Sequence, residues 1–174
     1  MVQTTIVNDQ PGLLPAAFES YGPRRSTWAV LNSTDQNNNV CGRWITRNTD
    51  GTAGAGGSGP DLGILTAIKT YSRDGLTLND DLSPTLAVKN NAIGCFTSLA
   101  SGLTVQGLQK AADTATLIGW NVYFKVSTGE LQFSDTSPGQ GWSEAVNASV
   151  VQSAPADSDA DALVPVIISL TGLA

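Results

Sequence analysis

The residues of this sequence that come closest to a nucleotide-binding motif lie in a glycine-rich stretch. Residues 54–59 read Gly-Ala-Gly-Gly-Ser-Gly and satisfy the G-x-G-x-x-G spacing of a dinucleotide-binding turn. That turn must open a helix whose N-terminus receives the pyrophosphate, whereas here Pro60 and a predicted strand follow. The spacing therefore does not predict a nucleotide site.

Three aspartates alternate in the way that the ligands of a calcium loop do: Asp157, Asp159 and Asp161. A calcium loop also needs a glycine at its sixth position and a bidentate glutamate at its twelfth, and these positions hold Ala162 and Ile168. We interpret the segment as a solvated acidic turn, with a weak surface cation site as the alternative.

The chain contains no histidine. This excludes the Ser-His-Asp and Cys-His mechanisms and removes the commonest transition-metal ligand. Two carboxylates could still hydrolyse a glycoside, but nothing singles out a pair among Asp80, Asp81, Glu130 and Glu144. We predict a protein with no catalytic site, no metal and no cofactor.

Cys41 and Cys95 each lie inside an apolar, strand-like stretch. Free cysteine behaves as a small hydrophobic residue, so two buried thiols are the favoured interpretation, and a disulfide is the alternative. Their spacing does not suggest a metal site.

Composition predicts one domain of short strands joined by turns. A chain of 174 residues suits a single core, and 18 glycines and 8 prolines require many turns. The hydrophobic fraction of 41% and the charged fraction of 14% exclude a highly charged disordered chain.

Charge and hydropathy bear on the partners. A net charge of -6 and a pI near 4.3 argue against binding to nucleic acid, which needs a basic face. The basic residues are concentrated before position 74, so a contact with an acidic partner should use the front of the chain. No run approaches the roughly 20 apolar residues that span a bilayer, and the start lacks the pattern of a secretory signal, so we expect no membrane contact and no export.

A hairpin is the clearest structural signal. Residues 127–129, Ser-Thr-Gly, form a predicted turn, and Leu131 and Phe133 continue the alternation on a returning strand. In the first strand, the apolar residues at period two should face the core: Ile118, Trp120, Val122, Phe124 and Val126. The opposite face of this strand carries Gly119, Asn121, Tyr123 and Lys125.

Most of the remaining chain shows strand patterns, but one stretch has helical spacing and another reads as a loop. Helical spacing predicts about two turns of helix over 107–115, and residues 48–60 read as a long glycine-rich loop with little to bury. Asn90-Asn91 is a candidate hairpin turn. We predict an all-β fold that forms a single β-sandwich or barrel-like domain. Its further strands are predicted at 27–31, 40–47, 62–71, 85–89, 92–100, 146–154 and 163–171. In the last of these, Val164, Val166, Ile168 and Leu170 should lie on one face.

Residues 1–25 are predicted to form an extended N-terminal arm, and residues 26–174 the β-rich domain. Prolines and glycines interrupt any period in the arm.

The order of these features resembles that of the structural cement proteins that decorate the heads of tailed bacteriophages. The resemblance rests on Trp-Asn-Val-Tyr-Phe followed by Ser-Thr-Gly-Glu-Leu in the hairpin, on the segment from Gly12 to Pro23, and on the closing strand at 164–170. It implies a non-enzymatic protein on the outer surface of the capsid. Its partners would be the major capsid protein and copies of itself, as a dimer or trimer, with neither nucleic acid nor membrane.

Within that interpretation, the arm should face the capsid or a neighbouring subunit. Phe18 and Tyr21 would be apolar anchors, and Arg24 and Arg25, the only adjacent arginines, would pair with carboxylates across the contact. Aromatic residues and arginine are the types that most often carry interface energy.

The alternative is a carbohydrate- or receptor-binding β-domain of a phage particle. Exposed aromatic side chains stack on sugar rings, and the chain has four tryptophans, Trp28, Trp44, Trp120 and Trp142. Trp120 falls on the predicted core face, and Trp142 falls in a turn-rich segment where it could be exposed.

The lack of histidine leads to a direct test. Purified protein incubated with glycan, ester and phosphoester substrates should give no turnover above buffer. Reproducible turnover that is lost when one carboxylate is mutated would overturn the non-enzymatic assignment.

Overall fold

The computed structural model describes residues 23–69, 87 and 89–172. This part of the chain is built from strands, with a single turn of 3-10 helix at Gln36–Asn38. The all-β prediction is confirmed. The strands are β1 (Arg25–Val30), β2 (Trp44–Arg47), β3 (Ala53–Ala55), β4 (Asp61–Lys69), β5 (Ile93–Leu108), β6 (Asn121–Lys125), β7 (Leu131–Ser134), β8 (Trp142–Gln152) and β9 (Leu163–Thr171).

Five strands close into a barrel in the order β5-β7-β6-β8-β9, because β9 pairs back onto β5. All of these pairings are antiparallel except the short one between β5 and β7, which joins Leu108 to Gln132. The barrel alternative of the predicted fold class is therefore the one that the structure adopts.

The first half of β5 extends beyond the barrel and forms the centre of a second sheet. There β5 pairs with β1 on one edge and with β4 on the other, and β4 continues to β2 and β3. A register shift between Ala100 and Leu103 separates the two halves of β5. We call β1–β4 with residues 93–99 the N-terminal sheet.

The barrel interior is filled by alternate residues of its strands, as period two requires. The prediction for β9 is confirmed, because Val164, Val166, Ile168 and Leu170 are all buried in one cluster. In the hairpin, Val122 and Phe124 are buried with Leu131 and Phe133, and Trp120 and Val126 are partly buried against them.

The prediction for Ile118 was wrong, since 67% of this residue is exposed. The strand begins only at Asn121, and Gly119 has a φ of 86°, which breaks the extended path that the alternation assumed. Tyr123 was placed on the face opposite the predicted core residues, and it is also buried.

The predicted helix at 107–115 is absent. β5 instead continues to Leu108, which pairs with Leu163. The side chain of the next residue, Gln109, is buried and its Nε2 donates to the carbonyl oxygens of Asp157 at 2.7 Å and Asp159 at 2.8 Å. Strand pairing and this bridge outweigh a weak helical spacing.

Residues 48–60 bury far more than expected. They contain β3, and Ala53 is completely buried in a second core with Leu31, Ile45, Leu65 and Phe96. The glycines there allow close backbone contact rather than flexibility.

In addition to the shared strand β5, the backbone of Trp44 connects the N-terminal sheet to the barrel. Its N–H donates to the Gly129 carbonyl at 2.8 Å, and its carbonyl accepts from the Gly56 N–H at 2.9 Å. A Cβ on Gly129 would collide with the Trp44 carbonyl and lie 2.8 Å from the Gly56 nitrogen. The contact therefore requires glycine on the barrel turn.

The Trp44 side chain completes this junction. Its ring stacks on Phe124 with centroids 5.6 Å apart, and its Nε1–H donates to Asp61 Oδ1 at 2.8 Å. Burial raises the pKa of Asp61, and the hydrogen bond from Trp44 acts in the opposite direction.

Replacing Gly129 with alanine should disrupt the close contact between the barrel turn and Trp44. Gly119→Ala is a matched control, because both glycines have positive φ but nothing lies within 4 Å of a Cβ on Gly119. The control should cost about 1–2 kcal/mol from backbone conformation alone, and Gly129→Ala more than about 3 kcal/mol. Equal unfolding free energies of Gly129→Ala and Gly119→Ala in urea would contradict the close contact at Gly129.

Phe124→Ala should lower the free energy of unfolding by about 3–5 kcal/mol, because Phe124 is only 3% exposed. Ile118→Ala, from the same predicted face but largely exposed, should change it by less than about 0.5 kcal/mol. An unchanged denaturation midpoint of Phe124→Ala would show that this residue does not contribute to the core.

Candidate interaction surface

The motifs that could be mistaken for catalytic or ligand sites have structural explanations. Within residues 23–69, 87 and 89–172, no three His, Cys, Asp or Glu side chains are grouped to hold a metal ion. The glycines at 54–59 begin on β3 rather than at a helix, and Gly59 packs so closely that a Cβ would meet the backbone of Arg47. No helix of the described chain is long and apolar enough to cross a membrane.

The aspartates at 157–161 stabilise their own turn. Asp157 Oδ1 accepts from the Asp159 N–H at 2.9 Å, and Asp159 Oδ1 accepts from the Asp161 N–H at 3.0 Å. The buried Gln109 side chain accepts from the Asp157 N–H as well. These contacts support the acidic-turn interpretation.

Cys41 and Cys95 are free thiols, so they do not form the disulfide that was the alternative. Cys95 is buried and Cys41 partly so. Burial raises the pKa of the Cys41 thiol, and the nearby Cys95 adds to the shift. Both features make Cys41 a poor nucleophile at neutral pH.

The four tryptophans differ in how far their side chains are exposed. Trp44 is fully buried and Trp120 partly buried, while Trp142, the candidate for exposure, is half-buried at the start of β8. Trp28 on β1 is 46% exposed.

Two of the predicted partner-binding residues, Phe18 and Tyr21, lie outside the described residues. Arg24 and Arg25 are exposed, and Arg25 is the first residue of β1 rather than part of an arm. Its Nε–H donates to Ser98 Oγ at 3.3 Å. The two arginines are thus adjacent where β1 begins.

No pattern in the sequence predicts the open polar depression that lies on the N-terminal sheet. Its volume is about 620 Å³, within the roughly 300–1,000 Å³ range of clefts that hold ligands. We call it the polar depression; it is lined by 32–34, 46–50 and 57–59. They come from the residues that follow β1, from the end of β2 with its turn, and from the last three residues of the stretch 56–59, which we call the glycine segment. The polar residues of these three short pieces are sparse and carry no motif.

Hydrogen bonds hold the walls of the polar depression in place. Asn48 Nδ2 donates to the Asn32 carbonyl at 2.9 Å and to Thr52 Oγ1 at 2.9 Å. Thr46 Oγ1 donates to the Gly56 carbonyl, which fixes the start of the glycine segment against β2.

A buried polar network supports the opposite wall. Ser33 Oγ donates to Asn39 Oδ1 at 2.5 Å and accepts from the Ala55 N–H at 2.8 Å. Asn90 Oδ1 accepts from the Ser33 N–H at 3.0 Å and from Asn39 Nδ2 at 2.9 Å. Asn90 belongs to the predicted two-residue turn, which therefore serves as a brace for the depression.

The charges of the polar depression come from Arg47 and Asp50. The carboxylate of Asp50 accepts from the Thr52 N–H at 2.9 Å and from Thr52 Oγ1 at 2.6 Å, and these bonds lower the pKa of Asp50. Arg47 is exposed, and no other described residue makes a hydrogen bond or ion pair with its side chain.

No protein-family model and no curated protein matches the sequence. The structure is similar to one described as "The capsid of Myoviridae Phage XM1", with 12% sequence identity, a TM-score of 0.61 and coverage of 99% of both chains. A second likeness, to "The crystal structure of head fiber gp8.5 N base in bacteriophage phi29", covers 87% of this chain and 99% of that chain at 16% identity. Its TM-score of 0.34 is too low to support a structural argument. The chain therefore shares its fold, over nearly its whole length, with a chain found in a phage capsid.

Proposed function

We propose that this chain is a non-enzymatic structural protein of a phage virion, which decorates the outer surface of the capsid and stabilises the head by bridging major capsid subunits. The observation that supports it is the likeness to a chain of the phage XM1 capsid over 99% of both chains. The lack of histidine agrees with a structural role.

The mechanism we propose is multivalent. Each copy would spread weak contacts over more than one capsid subunit, and linking those contacts raises the effective concentration of each further one. A symmetric dimer or trimer would multiply the effect, because oligomers present the same surface several times. Such binding needs no deep apolar pocket.

The N-terminal arm is the first contact that we assign to the capsid or to a neighbouring subunit. It leads directly into β1, where Arg24 and Arg25 lie together on the surface. The Arg25 side chain also donates to Ser98 Oγ of its own chain. Arginine is the residue type that binds a carboxylate through two parallel N–H bonds, which is why we propose this pair for the contact.

The net charge of -6 favours a protein partner over the packaged genome. A basic face would be needed to displace counterions from phosphates. We therefore place the protein on the outside of the head.

Deletion of residues 1–21 tests the arm. The truncated protein should keep its unfolding midpoint, because the described members of both hydrophobic clusters all follow position 28. It should no longer sediment with heads that lack this protein. The double substitution Phe18→Ala and Tyr21→Ala should weaken binding in the same direction without shortening the chain. Truncated protein that binds heads as well as the full chain would show that the arm is not the contact.

A further inference from the structure

We infer that the polar depression is a docking site for an acidic segment of a protein partner, with the Arg47 guanidinium binding a carboxylate. The inference deepens the proposed function and rests on it, since it assigns a second partner contact on the same protein. It concerns a face formed by the ends of β1 and β2 and by the glycine segment, not the N-terminal arm.

The distribution of positive charge is the first argument. Arg43 forms an ion pair with Glu130 at 3.0 Å, and Lys110 forms one with Asp135 at 2.6 Å. Arg47 is instead exposed at the polar depression and has no such partner among the described residues. Guanidinium binds carboxylate through two parallel N–H bonds, which makes a carboxylate its best-matched partner.

The acid nearest in sequence does not form an ion pair with Arg47. Asp50 lines the same depression, but its Oδ1 already accepts two hydrogen bonds from Thr52. These bonds stabilise the carboxylate in place within its own turn, and no ion pair joins it to Arg47. A carboxylate brought by a partner therefore meets an arginine that is not already bound.

The lining also supplies groups that suit a peptide backbone. The hydroxyls of Thr34, Thr49 and Ser58 line the depression and make no hydrogen bond to other described residues. Each hydroxyl can both donate and accept, as the N–H and C=O groups of an extended segment require. A charged anchor surrounded by such groups fits a short acidic segment better than an isolated ion.

The glycines let their segment pack closely on β2. Gly57 has a φ of 92°, and a Cβ on it would lie 2.6 Å from Thr46 Oγ1. Gly59 is pressed against the Arg47 backbone. The floor of this part of the depression is therefore main chain, fixed by contact with β2.

The site is preorganised. The hydrogen bond of Asn48 to Asn32 cross-links two of its walls before any ligand arrives, and the bond of Ser33 to Asn39 holds Ser33 in place. Ordering loops and side chains on binding costs affinity, so walls that are already ordered lose less.

A sugar is the less suitable occupant. None of the described residues that line the depression is aromatic, so a stacking platform for a sugar ring is missing there. The polar groups present do not by themselves select a sugar over a peptide, and the unpaired charge of Arg47 favours an acidic ligand.

The test is a titration of full-length, ¹⁵N-labelled protein followed by NMR. The probe is the peptide acetyl-Gly-Asp-Glu-Asp-Gly-amide, and its neutral match replaces the acids with Asn, Gln and Asn. The acidic peptide should cause saturable amide shifts at residues 32–34, 47–50 and 57–59, with a Kd on the order of 1 mM, and the neutral peptide should not. Added salt should weaken the binding.

Arg47→Gln should raise the Kd of the acidic peptide at least about tenfold. Lys125→Gln is the matched control, because Lys125 is also exposed and its loss changes the net charge equally. Both variants should keep the dispersed spectrum of the parent. The inference is overturned if the acidic peptide causes no saturable shift at the depression, if both peptides act alike, or if the two variants do not differ. It is also overturned if glucuronic acid saturates the site and the peptide does not, since the site would then be one for acidic sugars.

A second measurement separates this inference from the proposed function. Arg47→Gln should also weaken sedimentation with heads that lack this protein, while Lys125→Gln should not. Peptide binding in a protein that does not bind heads at all would contradict the decoration role and leave the docking site standing. If Arg47→Gln does not change head binding, the polar depression is not part of the contact with the capsid.

Discussion

The backbone of Trp44 is a point on which both parts of this fold depend. Its N–H bonds to Gly129 of the barrel turn, and its carbonyl oxygen bonds to Gly56 of the glycine segment. The next residue, Ile45, faces the second core, while the Trp44 ring stacks on Phe124 in the barrel. One short strand thus contributes alternate side chains to two cores. The geometry leaves no room for a Cβ at either glycine, which couples the two cores through backbone contact.

This junction also determines the surface that we assign to a partner. Because Gly56 is bonded to Trp44, the residues that follow it lie along β2 and form one wall of the polar depression. Arg47, the last residue of β2, also lines the polar depression. A rigid surface of this kind suits a protein whose proposed task is to hold neighbouring subunits at a fixed distance. Its affinity would come from several such contacts rather than from one deep site.

The sequence predicted the elements with strong alternation and missed those determined by distant contacts. β9 was predicted with its bounds and its buried face, because four branched or large apolar residues repeat at period two without interruption. Ile118 continued the hairpin pattern in sequence but not in space, since the backbone turns at Gly119. The burial of residues 53–56 could not be predicted, because glycine and alanine show little hydrophobic pattern and the partner, the turn at Gly129, lies more than seventy positions away. The polar depression could not be predicted for a different reason: it is lined by three short pieces whose polar residues carry no motif and which only the fold arranges around one space.

The central claim, that this chain is a decoration protein of the capsid exterior, is tested most directly by electron cryomicroscopy of heads assembled with and without it. The account predicts additional density on the outer surface only when the chain is present. The five-stranded barrel should fit that density, and each copy or oligomer should touch at least two major capsid subunits. Heads that are identical in the two preparations, or density for this chain inside the shell or confined to the tail, would contradict the account.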